Sequence, residues 1–234
     1  MTIAIMQPTF LPWIGYIYMI HKVDQFIFLD NVQFEQRSWQ SRNKIKFQNK
    51  THFLSLSCQK CSQKTLLSDI KLSKDLRWKN KLLETLRHAY SKSINYQRYF
   101  NLIKNCLEKN KKLTDLNIEL ITQICKDLNI TTPLIRASNL NLPEAKRENL
   151  LFEICKLFKS NSYLSPEGSR NYLDQECSKN LFKQGGIKIN YFDFNHPYYK
   201  QQGSDFIAYL SVIDFLFNTK NPALEFNKIT GLVE

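Results

Sequence analysis

Residues 3–46 constrain the fold most. They read IAIMQPTFLPWIGYIYMIHKVDQFIFLDNVQFEQRSWQSRNKIK. A short apolar run, Ile3 to Met6, stops at Gln7 and Pro8, and a turn with two prolines carries the chain to Trp13. From Gly15 a helical spacing puts Ile17, Ile20 and Val23 on one face. FIFLD, residues 26–30, reads as a buried strand ending in a carboxylate. Strand, loop, helix, strand is a βαβ unit, and it predicts an α/β fold on a mainly parallel sheet. In open sheets of this kind ligands collect at the carboxyl ends of the strands. Those ends carry Gln7 and Asp30, and the polar, basic run Asn31 to Lys46 lies just beyond.

The rest of the chain reads as more of this sheet and one block of a different kind. Residues 42–47 and 52–57 alternate apolar and polar, which predicts a hairpin joined by Gln48-Asn49-Lys50 at the sheet edge. Ile70 to Leu72 is a short candidate strand. Residues 75–129 are helical throughout, with Asp75 as the first cap and Leu82, Leu83 and Leu86 at helical spacing. This block reads as a helical insertion in a single domain spanning 1–234. Short strands follow at 133–135 and 162–165, with a helix over 146–159 between them. A helix over 172–182, stopped by Gly185-Gly186, leads to a last strand at 187–194. The loop 196–203 and a helix over 206–217 complete the pattern.

At 234 residues the chain buries a full core. Its net charge of +12 favours an anionic small molecule, such as a nucleotide or a sugar nucleotide, as partner. A lysine-rich composition without any basic patch explains the same number, and both readings stand. Of six cysteines only Cys58 and Cys61 have ligand spacing, and no second pair follows. No zinc or other metal is therefore expected, and the thiols read as reduced in a cytoplasmic setting. The first residues lack the pattern of a secretory leader, and no window reaches the roughly 18 apolar residues of a membrane span.

Three stretches carry candidate chemistry. His196, in the loop HPYYKQQG, is the best acid–base group, because an imidazole titrates near neutrality. The loop YLSPEGSRNY places Ser165, Glu167, Gly168, Ser169 and Arg170 between a strand and a helix. Its backbone N–H groups and the Arg170 fork suit a phosphate, and a simple helix cap explains the same residues. Arg37, Arg42 and Lys44, accompanied by Trp39, suit the phosphates of a nucleotide; the run is too short and solitary to predict a nucleic acid. Asp30 would orient a ribose, a metal or an amine, or would cap the next turn.

The opening loop resembles that of the nucleotidyltransferase-like, Rossmann-like superfamily, with Gly15-Tyr16 where that group has Gly-His. The missing histidines imply that adenylyl transfer has lost its phosphate donors. The 163–172 loop is distantly similar to the serine and arginine loop of ATP-dependent ligases in that superfamily. As a whole the chain resembles the WbqC-like proteins of bacterial surface-polysaccharide gene clusters. The likeness is carried by Gln7-Pro-x-x-Leu-Pro-Trp13-x-Gly15-Tyr16, Phe28-Leu-Asp30-x-Val-Gln33-Phe and Arg37-Ser-Trp39-Gln40-x-Arg42-Asn43. It continues in Tyr163-Leu-Ser165, His196-Pro-x-Tyr199-x-Gln201 and Tyr209-Leu-Ser211-x-x-Asp214-x-Leu-Phe-Asn218. Asn31 departs from the acidic residue common after Asp30, which weakens a paired-carboxylate metal site. The resemblance implies a role in O-antigen or capsule biosynthesis, as a transferase forming an amide on the amino group of a nucleotide-linked sugar. Acyl-CoA or ATP would supply the donor. His196, Asp30 and Tyr16 would be catalytic. Gln7, Trp13, Gln33, Gln40 and Asn43 would shape the pocket, Arg37, Arg42, Lys44 and Arg170 would hold phosphates, and Tyr199 and Gln201 would position substrate. ATP-dependent adenylyl transfer and a non-catalytic nucleotide-sugar scaffold are the alternatives. The block 75–129 would serve as a lid or as the surface of a homodimer.

Overall fold

The computed structural model describes residues 1–231. In chain order the elements are β1 (Thr2–Met6), α1 (Ile14–His21), β2 (Gln25–Phe28), β3 (Arg42–Phe47), β4 (Lys50–Ser55), α2 (Arg77–Tyr90), α3 (Tyr96–Lys109) and α4 (Leu113–Asp127). They continue with β5 (Leu134–Arg136), α5 (Arg147–Leu157), β6 (Ser162–Pro166), α6 (Arg170–Leu173), α7 (Glu176–Gln184), β7 (Lys188–Phe192), α8 (Val212–Asn218) and α9 (Pro222–Ile229). The chain forms two compact units, each built from three segments. Met1–Gln7, Met19–Asp30 and Thr132–Asn195 make the first. Pro8–Tyr18, Asn31–Thr131 and the chain from His196 on make the second.

The first unit is an α/β layer around a five-stranded parallel sheet, in the order β5-β2-β1-β6-β7. The chain moves outward from β1 to β2 and β5, then returns to the other side of β1 for β6 and β7. That is the order of a doubly wound sheet, and its reversal lies between β1 and β6. Ile3, Ala4 and Ile5 are buried in succession, as are Phe26, Ile27 and Phe28. Continuous burial of this kind is what a parallel sheet covered on both faces requires. Phe182 of α7 stacks on Tyr163 of β6 at 5.9 Å and meets Phe152 of α5 edge-on at 5.6 Å. Each such buried ring stabilises the unit by about 1.5–3 kcal/mol. The helix expected over 172–182 is two helices. Gln175 is extended between α6 and α7, and the buried Ser178 hydroxyl closes the break by donating to the Tyr172 carbonyl at 2.8 Å.

The second unit holds the hairpin and the helical block. β3 and β4 form a sheet of their own rather than an edge of the parallel one. Gln48 and Asn49 both adopt left-handed backbone (φ 50° and 59°), which makes a two-residue turn and brings the start of β4 forward to Lys50. α2, α3 and α4 pack in succession, burying Leu82 and Leu86, then Tyr99 and Ile103, then Leu116, Leu120 and Ile124. Residues 70–72 make isolated bridges, Leu72 to Cys58 and Lys71 to Lys112, instead of a strand. The helix expected from 206 begins only at Val212. Ser211 caps it, and Tyr209 before it sits in the left-handed region (φ 57°) that no helix continues through. α9 follows from an Asn221 cap with Pro222 in the first turn, a recognised pair of helix-start residues. No helix among the described residues is long and apolar enough to cross a membrane.

Candidate functional site

In the first unit the reversal between β1 and β6 brings two expected groups to the carboxyl edge of the sheet. Gln7 follows β1. Ser165 lies at the end of β6, ahead of the short turn Glu167–Ser169 and Arg170. The chemistry of Arg170 is already engaged by its neighbours. Arg170 ion-pairs with Glu167, approaches Asp174 at 3.6 Å, and lies 3.8 Å over the Tyr191 ring. Tyr191 in turn donates to Asp174 at 2.9 Å. The guanidinium is thus held and neutralised by its own neighbours. Gly168 is open, since a Cβ there would meet nothing within 4 Å, and Ser165 and Ser169 are buried.

Asp30 is 0% exposed. One oxygen accepts from Arg136 Nε and the Ser138 hydroxyl, each at 2.8 Å, and the other accepts from the Ser138 N–H at 2.8 Å. The carboxylate therefore ties the end of β2 to the turn after β5. Tyr16, in the second unit, is also sealed, and burial pushes its phenol well above the ordinary value. The structure corrects both expectations: neither side chain is accessible to a substrate.

In the second unit the loop from Pro8 to Trp13 is fixed through its carbonyl groups. The Asn43 amide donates to Phe10 at 3.1 Å and Leu11 at 2.8 Å. The Asn117 amide donates to Pro8 at 3.1 Å and Gln40 at 2.8 Å, and the Ser211 hydroxyl donates to Leu11 at 2.7 Å. Leu11 itself has φ 42°, so the clamps hold a strained turn. Asn43 and Gln40 are accordingly buried scaffold, Gln40 accepting the Glu35 N–H at 3.0 Å. Trp13 lies directly over Gly15, where a Cβ would come within 2.2 Å of the indole. Gln33 is exposed and donates to the Gln63 carbonyl; Arg37 is exposed at a left-handed turn (φ 58°).

One face of the hairpin gathers the remaining candidates. Lys44 Nζ stands 5.5 Å from the Trp39 ring and 5.6 Å from Phe53, and the Arg42 guanidinium lies 4.7 Å from Phe53. Trp39 is 50% exposed. Neither cation has a carboxylate partner among the described residues. The Lys44 carbonyl accepts the Ser211 N–H at 2.8 Å, and Ser211 also bridges to Trp13. Two residues earlier, Tyr209 packs on Trp13 at 5.6 Å and on His196 at 5.0 Å. Phe206 and Tyr199 complete an aromatic surround for the imidazole. Burial pushes the His196 pKa down, against a smaller opposing effect of the Pro197 carbonyl. That carbonyl can only accept, and it lies 2.9 Å from Nδ1. The neutral ring therefore carries its proton on Nδ1, which makes Nε2 the basic nitrogen, and Nε2 is itself shielded from solvent by the surrounding rings.

Chain-wide similarity bears on this arrangement. The WbqC-like protein family model matches residues 7–226. The chain belongs to the WbqC-like family. An uncharacterized protein of Mycobacterium tuberculosis (strain ATCC 25618 / H37Rv), Rv1507c, is 27% identical over 219 residues, covering 92% of this chain and 93% of that protein. No solved structure matches.

The loop that carries His196 in this WbqC-like chain is held by Tyr199 and Gln201, the residues expected to position substrate. Gln201 clamps Ile207 from both sides, accepting its N–H at 2.9 Å and donating to its carbonyl at 2.8 Å. Tyr199 donates to the buried Asp214 at 3.0 Å, and Tyr90 donates to the other oxygen at 2.7 Å. Burial raises the Asp214 pKa although both phenols oppose it. Asp214, Tyr90, Phe206 and Phe53 were not among the candidates. Asp214 and Tyr209 stood in the family motif, while Tyr90 and Phe53 look like ordinary core or strand residues until the chain is folded.

Proposed function

We propose that this protein is a transferase of bacterial surface-polysaccharide biosynthesis, forming an amide on the amino group of a nucleotide-linked sugar. The observation that carries the reading is the hairpin face, where Arg42 and Lys44 lack carboxylate partners among the described residues and stand beside the exposed Trp39 ring. Two cations offer charge-assisted hydrogen bonds to a diphosphate, and an exposed indole offers a stacking surface to a base. Family membership supports the polysaccharide setting. The charge distribution supports an anionic substrate on this unit. Basic and acidic residues nearly balance in the first unit, so almost the whole net charge of +12 falls on the second.

His196 is assigned the proton. The acceptor amine attacks the carbonyl carbon of the donor, a C–N bond forms, and the bond to the donor's leaving group breaks. Nε2 of His196, shielded by Tyr199, Phe206 and Tyr209 in this structure, takes the proton that the nitrogen must lose once those rings part. A neutral ring at pH 7 suits this task, and the depressed pKa keeps it neutral.

The test is calorimetric titration with nucleoside-diphosphate amino sugars. Arg42→Ala with Lys44→Ala should weaken binding about 10- to 100-fold, the loss of one or two charge-assisted bonds, with the melting temperature little changed. Undiminished affinity in the double variant contradicts the assignment.

A further inference from the structure

A second cleft in the same unit has no part in the acceptor site described above. It encloses about 830 Å³ and is lined by the loop after His196, by α3, and by the connection from α8 into α9. That volume is within the range of small-molecule sites. Three cations from these three elements face it: Arg98, Lys200 and Lys220. Arg98 is held by Asp127 at 3.0 Å, whereas Lys200 and Lys220 have no carboxylate partner among the described residues. The one acidic residue among the described lining, Glu225, is held by Lys228 at 2.9 Å. The cleft is thus net positive. Tyr198, 79% exposed, stands at its rim, and the buried rings of Tyr199 and Phe215 contribute to its wall. Tyr199 links it to the reaction chemistry, because the same ring lies 6.1 Å from the His196 imidazole.

We infer that this cleft binds the adenosine-phosphate part of the activated acyl donor, with the phosphates on Lys200 and Lys220 and the base against Tyr198. The inference rests on the transferase reading for the word donor, but its binding claim stands on the cleft alone. Two donors share this chemistry: a coenzyme A thioester and an acyl adenylate formed from ATP.

Equilibrium dialysis of the full chain against coenzyme A, ATP and inorganic pyrophosphate tests it. Coenzyme A or ATP should bind, and Lys200→Ala with Lys220→Ala should weaken that binding at least tenfold. Both lysines are exposed, so the melting temperature should hold. Tyr198→Ala should weaken the adenosine ligand and leave pyrophosphate unaffected. Arg42→Ala with Lys44→Ala should leave adenosine-ligand binding intact. Binding of coenzyme A but not ATP selects the thioester, and ATP alone selects the adenylate; either supports the site. Absence of binding by both, pyrophosphate binding without any preference for the adenosine ligands, or sensitivity to Arg42 and Lys44 instead of Lys200 and Lys220 overturns it. If adenosine-ligand binding at Lys200 and Lys220 persists while nucleotide sugars fail to bind at Arg42 and Lys44, the cleft stands and the acceptor reading falls.

Discussion

Asp30 and Asp214 are both sealed from solvent, yet their partners differ. Asp30 receives a guanidinium, a hydroxyl and a backbone N–H. Asp214 receives two phenols, which do not offset the cost of burying its charge, so its pKa rises. Asp30 therefore acts as a clamp at the end of β2, and Asp30→Ala should show it. The substitution strips Arg136 and Ser138 of this partner inside the fold. Removing one member of a buried pair costs about 3–5 kcal/mol, to be read from urea unfolding. A loss below about 1 kcal/mol would place the weight of that junction elsewhere. The residue scale is also where the sequence misled most. Gln40 and Asn43 are polar residues in a polar-looking stretch, Asp30 closes an apolar run and Tyr16 opens a helix, and nothing in their spacing says that all four turn inward. Burial is a property of the folded neighbours, here the carbonyl groups of Phe10 and Leu11 and the turn at Ser138.

At the scale of elements, β1 and β2 were legible because their apolar runs are continuous and end at Gln7-Pro8 and Asp30, and β7 because residues 187–194 alternate apolar and polar. The hairpin was legible in existence but not in turn length, since neither Gln48 nor Asn49 is a glycine that would advertise left-handed backbone. The helix from 206 was misread because Phe206, Leu210 and Phe217 can share a helical face. The left-handed Tyr209 and the Ser211 cap decide otherwise, and they turn Tyr209 toward Trp13 and His196. Helix α1 gives a direct check on that packing. Gly15→Ala would gain about 1 kcal/mol of helix propensity but would drive a methyl group into the Trp13 indole. Overpacking typically costs about 1–3 kcal/mol, so the variant should melt lower than the parent, with altered tryptophan fluorescence. A higher melting temperature would show that Trp13 moves aside freely.

At the scale of the whole molecule, the sequence did not disclose that the chain divides into two units, because each is stitched from three separated segments. Composition could state the net charge but not its partition, which falls almost wholly on the second unit. The residues expected to share one cleft also divide by unit: Gln7, Asp30 and Arg170 belong to the first, and His196 to the second. Of these, His196 is the residue assigned the proton in the proposed reaction, with its Nδ1 directed to the Pro197 carbonyl and its pKa lowered by burial. A base must be deprotonated to act, and a lowered pKa keeps it so further into acid. The rate should therefore be level above neutrality and fall on the acid side, with a midpoint below the ordinary histidine value of 6.5. The most direct measurement is mass spectrometry of nucleotide-linked amino sugars incubated with the protein and either acyl-CoA or a carboxylic acid with ATP, across a pH series. A mass gain of one acyl group on the sugar amine, with that acid limb and at least a hundredfold slower turnover in His196→Gln, is the expected result. No acylated sugar with any donor, or unchanged turnover and pH profile in His196→Gln, would contradict the account.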